Sequence, residues 1–192
     1  MSSGDRRVVV AGTDDWLTGG RRRDLAVARI TAAAAELFLE RGFDHVGALD
    51  VAERAGCSRA TLYRYVGGKP AIVSAVVSAA AASVADEVAR AVAHLSGAER
   101  IVEAILTSLA AVRSDATLSY WFAHTRTGGA DGYLAASPDV TRFATTLTGV
   151  APDGASGEWI VRVVLTLLAW PGVDDDTERQ LVRRFVAPAF DT

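Results

Sequence analysis

Residues 54 to 69 read RAGCSRATLYRYVGGK. This stretch carries Arg54, Arg59, Arg64 and Lys69 and no carboxylate, in a chain whose formal net charge is −3. Arg59 offers the planar fork that bonds guanine O6 and N7 in a major groove, a pairing that discriminates between bases by about 1 to 3 kcal/mol. Ser58 and Lys69 can each meet a phosphate oxygen, which fixes register without reading sequence. Ala60 and Thr61 are small enough for close approach and bring methyl groups to thymine. Tyr63 and Tyr65 offer hydroxyls to the nucleic-acid backbone, and Arg64 can reach either a base or a phosphate. The chemistry these types imply is non-covalent recognition of double-stranded DNA.

Catalytic patterns do not compete with that reading. The chain has no G-x-S-x-G nucleophile motif and no phosphate loop. Three scattered histidines and a single cysteine make no zinc-like cluster, so neither metal nor cofactor is expected, and no residue is assigned a catalytic role. The rival readings are a helical enzyme using His124 with a serine or an acid, and a helical carrier that only sequesters a small molecule. Cys57 reads as a buried, inert thiol rather than a redox switch.

The elements that must position these residues are all helical. Residues 1 to 20 lack a period and contain Gly4, Gly12, Gly19 and Gly20, which predicts a mobile arm. Arg21, Arg22 and Arg23 at its end would lie along or into an adjacent minor groove. From residue 24 to 41, Val27, Ile30, Ala34, Leu37 and Phe38 recur three or four apart on one helical face that stops at Gly42. Leu49, Val51, Ala52 and Ala55 make a short helix stopped by Gly56. Ser58 then caps a second short helix with Leu62 inward, ending at Gly67 and Gly68. That is a helix-turn-helix.

Beyond Pro70 a helix of roughly 25 residues carries Ile72, Val76, Val84, Val88 and Val92. Ser96 with Glu99 reads as a capping box opening the next helix, and Ser114 as the start of another that reaches Thr127. Ser137 and Pro138 open a helix to Leu147, 149 to 157 reads as loop, and 158 to 170 is apolar nearly all round, a pattern that demands cover on every side. A last helix, 177 to 186, follows Asp174, Asp175 and Asp176, which suit the positive end of its dipole. The fold class is all-α: an arm (1–20), a helix-turn-helix unit (21–69) and a helical unit (70–192).

ARITAAAAELFLERGF at 28 to 43, followed by DVAERAGCSRATLYRYVGGK at 50 to 69, resembles the DNA-binding domain of the TetR family of bacterial repressors over about residues 21 to 77. The residues that carry the resemblance are Phe38, Gly42, Phe43, Ala52, Ala55, Gly56, Ser58, Thr61, Leu62, Tyr63, Tyr65 and Lys69. The chain departs from the family pattern at Val46, Gly47 and Ala48, where a threonine or serine usually opens the second helix and often binds phosphate. It departs again at Val66, which replaces an aromatic residue. The resemblance implies a repressor that binds a palindromic operator as a homodimer and leaves it when a small effector binds, with residues 70 to 192 as the effector-binding and dimerisation unit.

Homodimerisation also follows from physical need, because one recognition helix reads only a few base pairs. Val161, Val164, Leu165 and Leu168 on the apolar helix, with Leu181, Val182 and Phe185 on the last, are the expected interface. Tyr120, Trp121, Phe122, His124 and Thr125 combine large rings with polar tips and are the candidates for an apolar effector pocket. Arg126, Tyr133, Arg142 and Phe143 are further candidates for its wall.

Charge divides unevenly: residues 1 to 69 are net +2 and residues 70 to 192 net −5. Nineteen of the 20 basic residues are arginine, a composition typical of a GC-rich bacterial genome. The N-terminal apolar stretch is too short for a signal peptide. Residues 159 to 173 fall short of the roughly 20 needed to cross a bilayer. A cytoplasmic protein without membrane contact is expected.

Overall fold

Eight helices and a closing 3-10 turn make up the described part of the chain, and no strand occurs among the described residues. The structure, a computed structural model, describes residues 15 to 124 and 154 to 190. The order is α1 (Asp15–Arg41), α2 (Ala48–Arg54), α3 (Arg59–Tyr65), α4 (Lys69–Ala91), α5 (Gly97–Ser114), α6 (Ala116–His124), α7 (Gly154–Ala169), α8 (Asp175–Phe185) and the 3-10 turn Ala187–Phe190. Thr125, Arg126, Tyr133, Arg142, Phe143 and the helix expected at 137 to 147 lie outside the described residues.

The first core is the predicted stripe from Ile30 onward meeting two short helices, while Val27 of that stripe is half-buried and does not join it. Ile30, Ala34, Leu37 and Phe38 of α1 pack with Val51, Ala52 and Ala55 around α2, Leu62 of α3, and Ile72 and Val76 of α4. Leu49 does not join them. It is 68% exposed, because in a helix of only two turns Val51 and Ala52 already fill the inward face.

A second core joins Ile101, Val102, Ile105 and Leu109 of α5 to Ile160 of α7 and Val182 and Val186 at α8. A third, smaller one joins Val77, Leu118 and Trp121. Phe43 and Val73 pack against both the first core and the third, so the two halves of the protein are not separately packed. α4 runs between them, burying Ile72, Val76 and Val77 near its start and Val88 near its end. It is long and apolar enough to span a bilayer by length and composition, but its buried face is accounted for by protein packing.

Several local expectations are corrected. The first helix starts earlier than predicted, since α1 begins at Asp15 and carries residues 15 to 20 in helical conformation despite Gly19 and Gly20. Ser96 occupies the N-cap of α5 but its side chain does not cap; Glu99 pairs with Arg183 of α8 instead of closing a capping box. Ser114 ends α5 rather than starting α6. The α6 cap is Asp115, whose Oδ1 accepts from the Leu118 N–H at 2.8 Å. The loop predicted from 149 gives way to α7 at Gly154.

One buried ion pair ties the C-terminal half together. Glu178 is 2% exposed and accepts two N–H bonds from Arg113 of α5, at 2.7 and 2.8 Å, and one from the Gly172 N–H at 2.9 Å. Arg113 also donates to the Leu167 carbonyl of α7. The pair therefore holds α5, the end of α7, the turn at Gly172 and α8 at one point. The guanidinium holds the Glu178 carboxyl below its ordinary value against the opposing effect of burial, with the Gly172 N–H helping.

Candidate nucleic-acid interface

The turn before α3 is built on Gly56. Its φ of +63° is a left-handed conformation that favours glycine, and a Cβ there would meet the Arg29 guanidinium at 2.8 Å. Ser58 follows as the N-cap, and its Oγ accepts from the Thr61 N–H at 3.1 Å. The Ser58 and Thr61 hydroxyls also bond each other at 2.9 Å. One hydroxyl proton bridges the pair, so one is left for an outside acceptor such as a phosphate oxygen. Leu62 is fully buried, and that fixes the outward side of α3.

Arg59, Ala60, Thr61, Tyr63, Arg64 and Tyr65 are consequently presented around the rest of the helix. Arg59, Ala60, Tyr63 and Arg64 are exposed, while Thr61 and Tyr65 are half-buried. The Arg59 guanidinium lies 5.3 Å from the Tyr63 ring centroid. Arg64 lies 4.7 Å over Tyr65 and donates to its hydroxyl at 3.2 Å. Lys69, at the first residue of α4, donates to the Asp44 carbonyl at 3.0 Å, which ties the start of α4 to the turn after α1. An ammonium has three donors, so others stay available.

The fourth cation of the stretch, Arg54, is committed elsewhere. Its guanidinium bonds Glu40 at 2.8 and 3.0 Å and Glu36 at 3.2 Å, clamping α2 to α1. That pairing lowers the Glu40 pKa and raises that of Arg54. A count of charges along residues 54 to 69 missed this, because both acids stand a helix away in sequence.

At the start of α2, Gly47 has no hydroxyl to offer. Asp50 reaches back to accept from the Gly47 N–H at 2.8 Å. Arg21, Arg22 and Arg23 are exposed on α1. They stand on helical backbone rather than on an extended arm.

The aromatic set on α6 divides. Trp121 is buried and Phe122 packs beside it against the third core. Tyr120 instead turns to α1: its ring stacks on Phe43 with centroids 5.6 Å apart, and Phe43 stacks on Phe38 at 4.3 Å. His124 also stacks on Tyr120, with centroids 3.9 Å apart and Nδ1 2.8 Å from the Tyr120 carbonyl oxygen. Tyr120 and His124 therefore lie at the seam between the halves.

On the C-terminal helices, Val161 and Val182 are buried within the protomer, and Val164, Leu165 and Leu168 pack against its own cores. Of the expected interface residues, only Leu181 and Phe185 are exposed. They line one side of an open groove of about 240 Å³, with Trp159, Val163, Thr166 and Leu167 of α7 on the other. Trp159 was missed. The signal was its four-residue spacing to Val163 and on to Leu167, one face round from the stripe chosen.

An N-terminal helix-turn-helix on a C-terminal helical domain, with a basic and aromatic outer face on its second short helix, is the architecture of a bacterial transcriptional regulator. Residues 30 to 76 match the family of bacterial regulatory proteins called tetR. The chain is 36% identical over 187 residues to an uncharacterized HTH-type transcriptional regulator of Mycobacterium tuberculosis strain H37Rv, an alignment covering 93% of this chain and 91% of that protein. It belongs to the TetR family. Its fold is similar to that of the TetR family repressor AlkX from Dietzia sp. strain DQ12-45-1b, implicated in n-alkane biodegradation, with a TM-score of 0.58, 19% identity and coverage of 85% and 94% of the two chains. It is also similar to RolR in complex with resorcinol, with a TM-score of 0.57, 21% identity and coverage of 89% and 90%.

Proposed function

We propose that this regulator is a cytoplasmic repressor that occupies palindromic operator DNA as a homodimer and is released by a small, largely apolar effector. The observation that carries the reading is the outer face of α3. Arg59, Thr61, Tyr63 and Arg64 stand together on one short helix, set by the buried Leu62 and the Ser58 cap. The N-terminal residues of such a helix are the ones that reach base edges. Ser58, Thr61, Tyr65 and Lys69 surround them with groups suited to phosphate.

The groove between α7 and α8 supports the homodimer. Trp159 is 50% exposed and Phe185 67% exposed, a large aromatic surface for a lone protomer to leave in water. A two-fold axis through this face covers both residues in each copy. We take the DNA-binding unit to run through residue 69, joined by residues 15 to 20 as part of α1, and the effector and dimerisation unit to be residues 70 to 192.

For the effector, the supporting feature is the small aromatic ligand seen in RolR, set beside the paired rings of Trp121 and Phe122 on α6, whose centroids lie 5.4 Å apart. Such a molecule lowers DNA affinity only by preferring the arrangement that does not fit DNA. Phe43 and Val73 belong to both cores, so a shift of α4 or α6 is felt at α1.

The test is a footprint of the purified protein on DNA flanking its own gene. A protected palindrome whose affinity falls steeply with salt supports the reading. Tight uptake of an apolar ligand without salt-dependent DNA binding would replace it with a carrier.

A further inference from the structure

Resting on the DNA-binding reading above, we infer that Tyr63 is the positioning residue for the base-reading arginine of α3. Its ring holds the Arg59 guanidinium in place before DNA arrives and leaves that side chain's N–H donors unspent.

The cations of this region are used in four different ways. Arg54 spends its donors on Glu36 and Glu40, Arg64 gives one to the Tyr65 hydroxyl, and Lys69 gives one to the Asp44 carbonyl. Arg59 makes no hydrogen bond or ion pair among the described residues, yet it is not loose: its guanidinium stands 5.3 Å from the Tyr63 ring centroid, one helical turn along. A cation–π contact of that length is attractive through charge alone, so it satisfies none of the five N–H groups with an oxygen. Those groups remain in the fork geometry that bonds guanine bidentately.

The ring is itself held. Tyr63 Cε1 stands 3.8 Å from where a Gly68 Cβ would be, so the α3–α4 turn backs the ring on one side while Arg59 covers another. Gly67, with φ at +118°, lets the chain double back there. An exposed arginine otherwise samples many rotamers, and holding it in one before binding is preorganisation, which sharpens base discrimination. In this arrangement the ring of Tyr63 matters and its hydroxyl does not. That is the opposite of a tyrosine whose role is to donate to a phosphate.

The experiment begins with the full-length wild-type protein selecting its preferred duplex from a random pool. The base pair read by Arg59 is then found as the one whose substitution Arg59→Ala no longer senses. Tyr63→Phe, Tyr63→Trp and Tyr63→Leu are compared on the selected duplex and on the duplex substituted at that pair, at several salt concentrations, after thermal unfolding has checked that each variant is folded. The expected result is that Phe and Trp keep the discrimination ratio within about twofold. Leu lowers it about fivefold, the size of an exposed cation–π contact. The salt slope is unchanged in all three, and Tyr63→Leu adds nothing in an Arg59→Ala background.

Uniform weakening by Tyr63→Phe across all sequences, with the salt slope unchanged because the hydroxyl is neutral, would mark a hydroxyl-to-phosphate contact and overturn the inference. An unchanged ratio in Tyr63→Leu overturns it as well. Failure of the wild type to select any duplex would sink the DNA-binding reading itself, a result visible before any variant is made.

Discussion

The Tyr120 hydroxyl lies against Gly42, so close that a Cβ on Gly42 would stand 2.7 Å from it. Gly42 closes α1 with φ at +83°, its N–H bonded to the Phe38 carbonyl, and the ring of Tyr120 stacks on the neighbouring Phe43. The contact joins the helix-turn-helix half to α6. Two separate costs therefore attend Gly42→Ala: about 1 to 2 kcal/mol for a side chain in left-handed backbone and a steric cost against the hydroxyl. Tyr120→Phe removes the oxygen and leaves the ring carbon at 3.7 Å, ordinary contact. Thermal or urea unfolding of the four-member cycle should show Gly42→Ala less destabilising in the Tyr120→Phe background, by about 0.5 kcal/mol or more. Equal losses in both backgrounds would mean the hydroxyl moves aside freely.

Arg54 and Lys69 should separate in salt dependence. The Arg54 charge is neutralised by Glu36 and Glu40, so Arg54→Gln is expected to loosen α2 on α1 only slightly, as exposed pairs allow, and to leave the salt slope of DNA binding unchanged. Lys69→Met should instead reduce that slope by about 1 while weakening binding uniformly across sequences. Binding isotherms at several salt concentrations on one duplex check both. A lower slope for Arg54→Gln would show that the clamp opens on DNA.

How much of this was legible beforehand depended on the range of the interaction. The α1 stripe, the inward Leu62 and the Ser58 cap are local patterns with a fixed period or spacing, and each stands where the spacing placed it. The pairing of Arg54 with acids on α1, of Glu99 with Arg183, and of Asp115 rather than Ser114 with the start of α6 are choices among polar groups, and only the packing decides them. The facing of α7 was misread for the same reason. A helix apolar nearly all round carries no internal mark of which side meets its own chain, so Val161 was expected outside and is inside, while Trp159 lies on the open groove.

Acid should weaken the C-terminal half first at Glu178. Its folded-state pKa is depressed by the Arg113 hydrogen bonds, so the pair contributes stability fully above about pH 4.5, the ordinary glutamate value, and loses it as pH falls through the depressed folded value. Glu178→Gln takes away the carboxylate nearest Arg113, leaving the exposed Asp175 at 4.0 Å as its charged neighbour, and should cost about 2 kcal/mol at pH 7, less than a fully buried pair because Arg113 is one-third exposed. The gap between the variant and the wild type should close as pH drops below about 4.5. Urea midpoints from pH 7 down to pH 3 test this, and a gap that stays constant with pH would mean that the Glu178 pKa is the same in the folded and unfolded chain.

If two copies meet across the groove between α7 and α8, Phe185→Glu should separate them. Phe185 and Trp159 stand on opposite walls of that groove, and a two-fold interface uses each residue twice. Loss of a central aromatic anchor costs about 2 kcal/mol or more at each occurrence, so the doubled effect is roughly 4 kcal/mol, about a thousandfold in the dissociation constant. Trp159→Glu should behave in the same way. Val173→Glu is the control, because Val173 is 95% exposed and does not line the groove. Sedimentation at micromolar protein should give monomer for the two groove variants and dimer for the wild type and the control. The monomers should keep the wild-type helical circular dichroism, since Phe185 projects away from the core that Val182 and Val186 build. Dimer persisting in both groove variants would place the interface elsewhere on the chain, and the spacing of the two recognition helices would then have to be set by other surfaces.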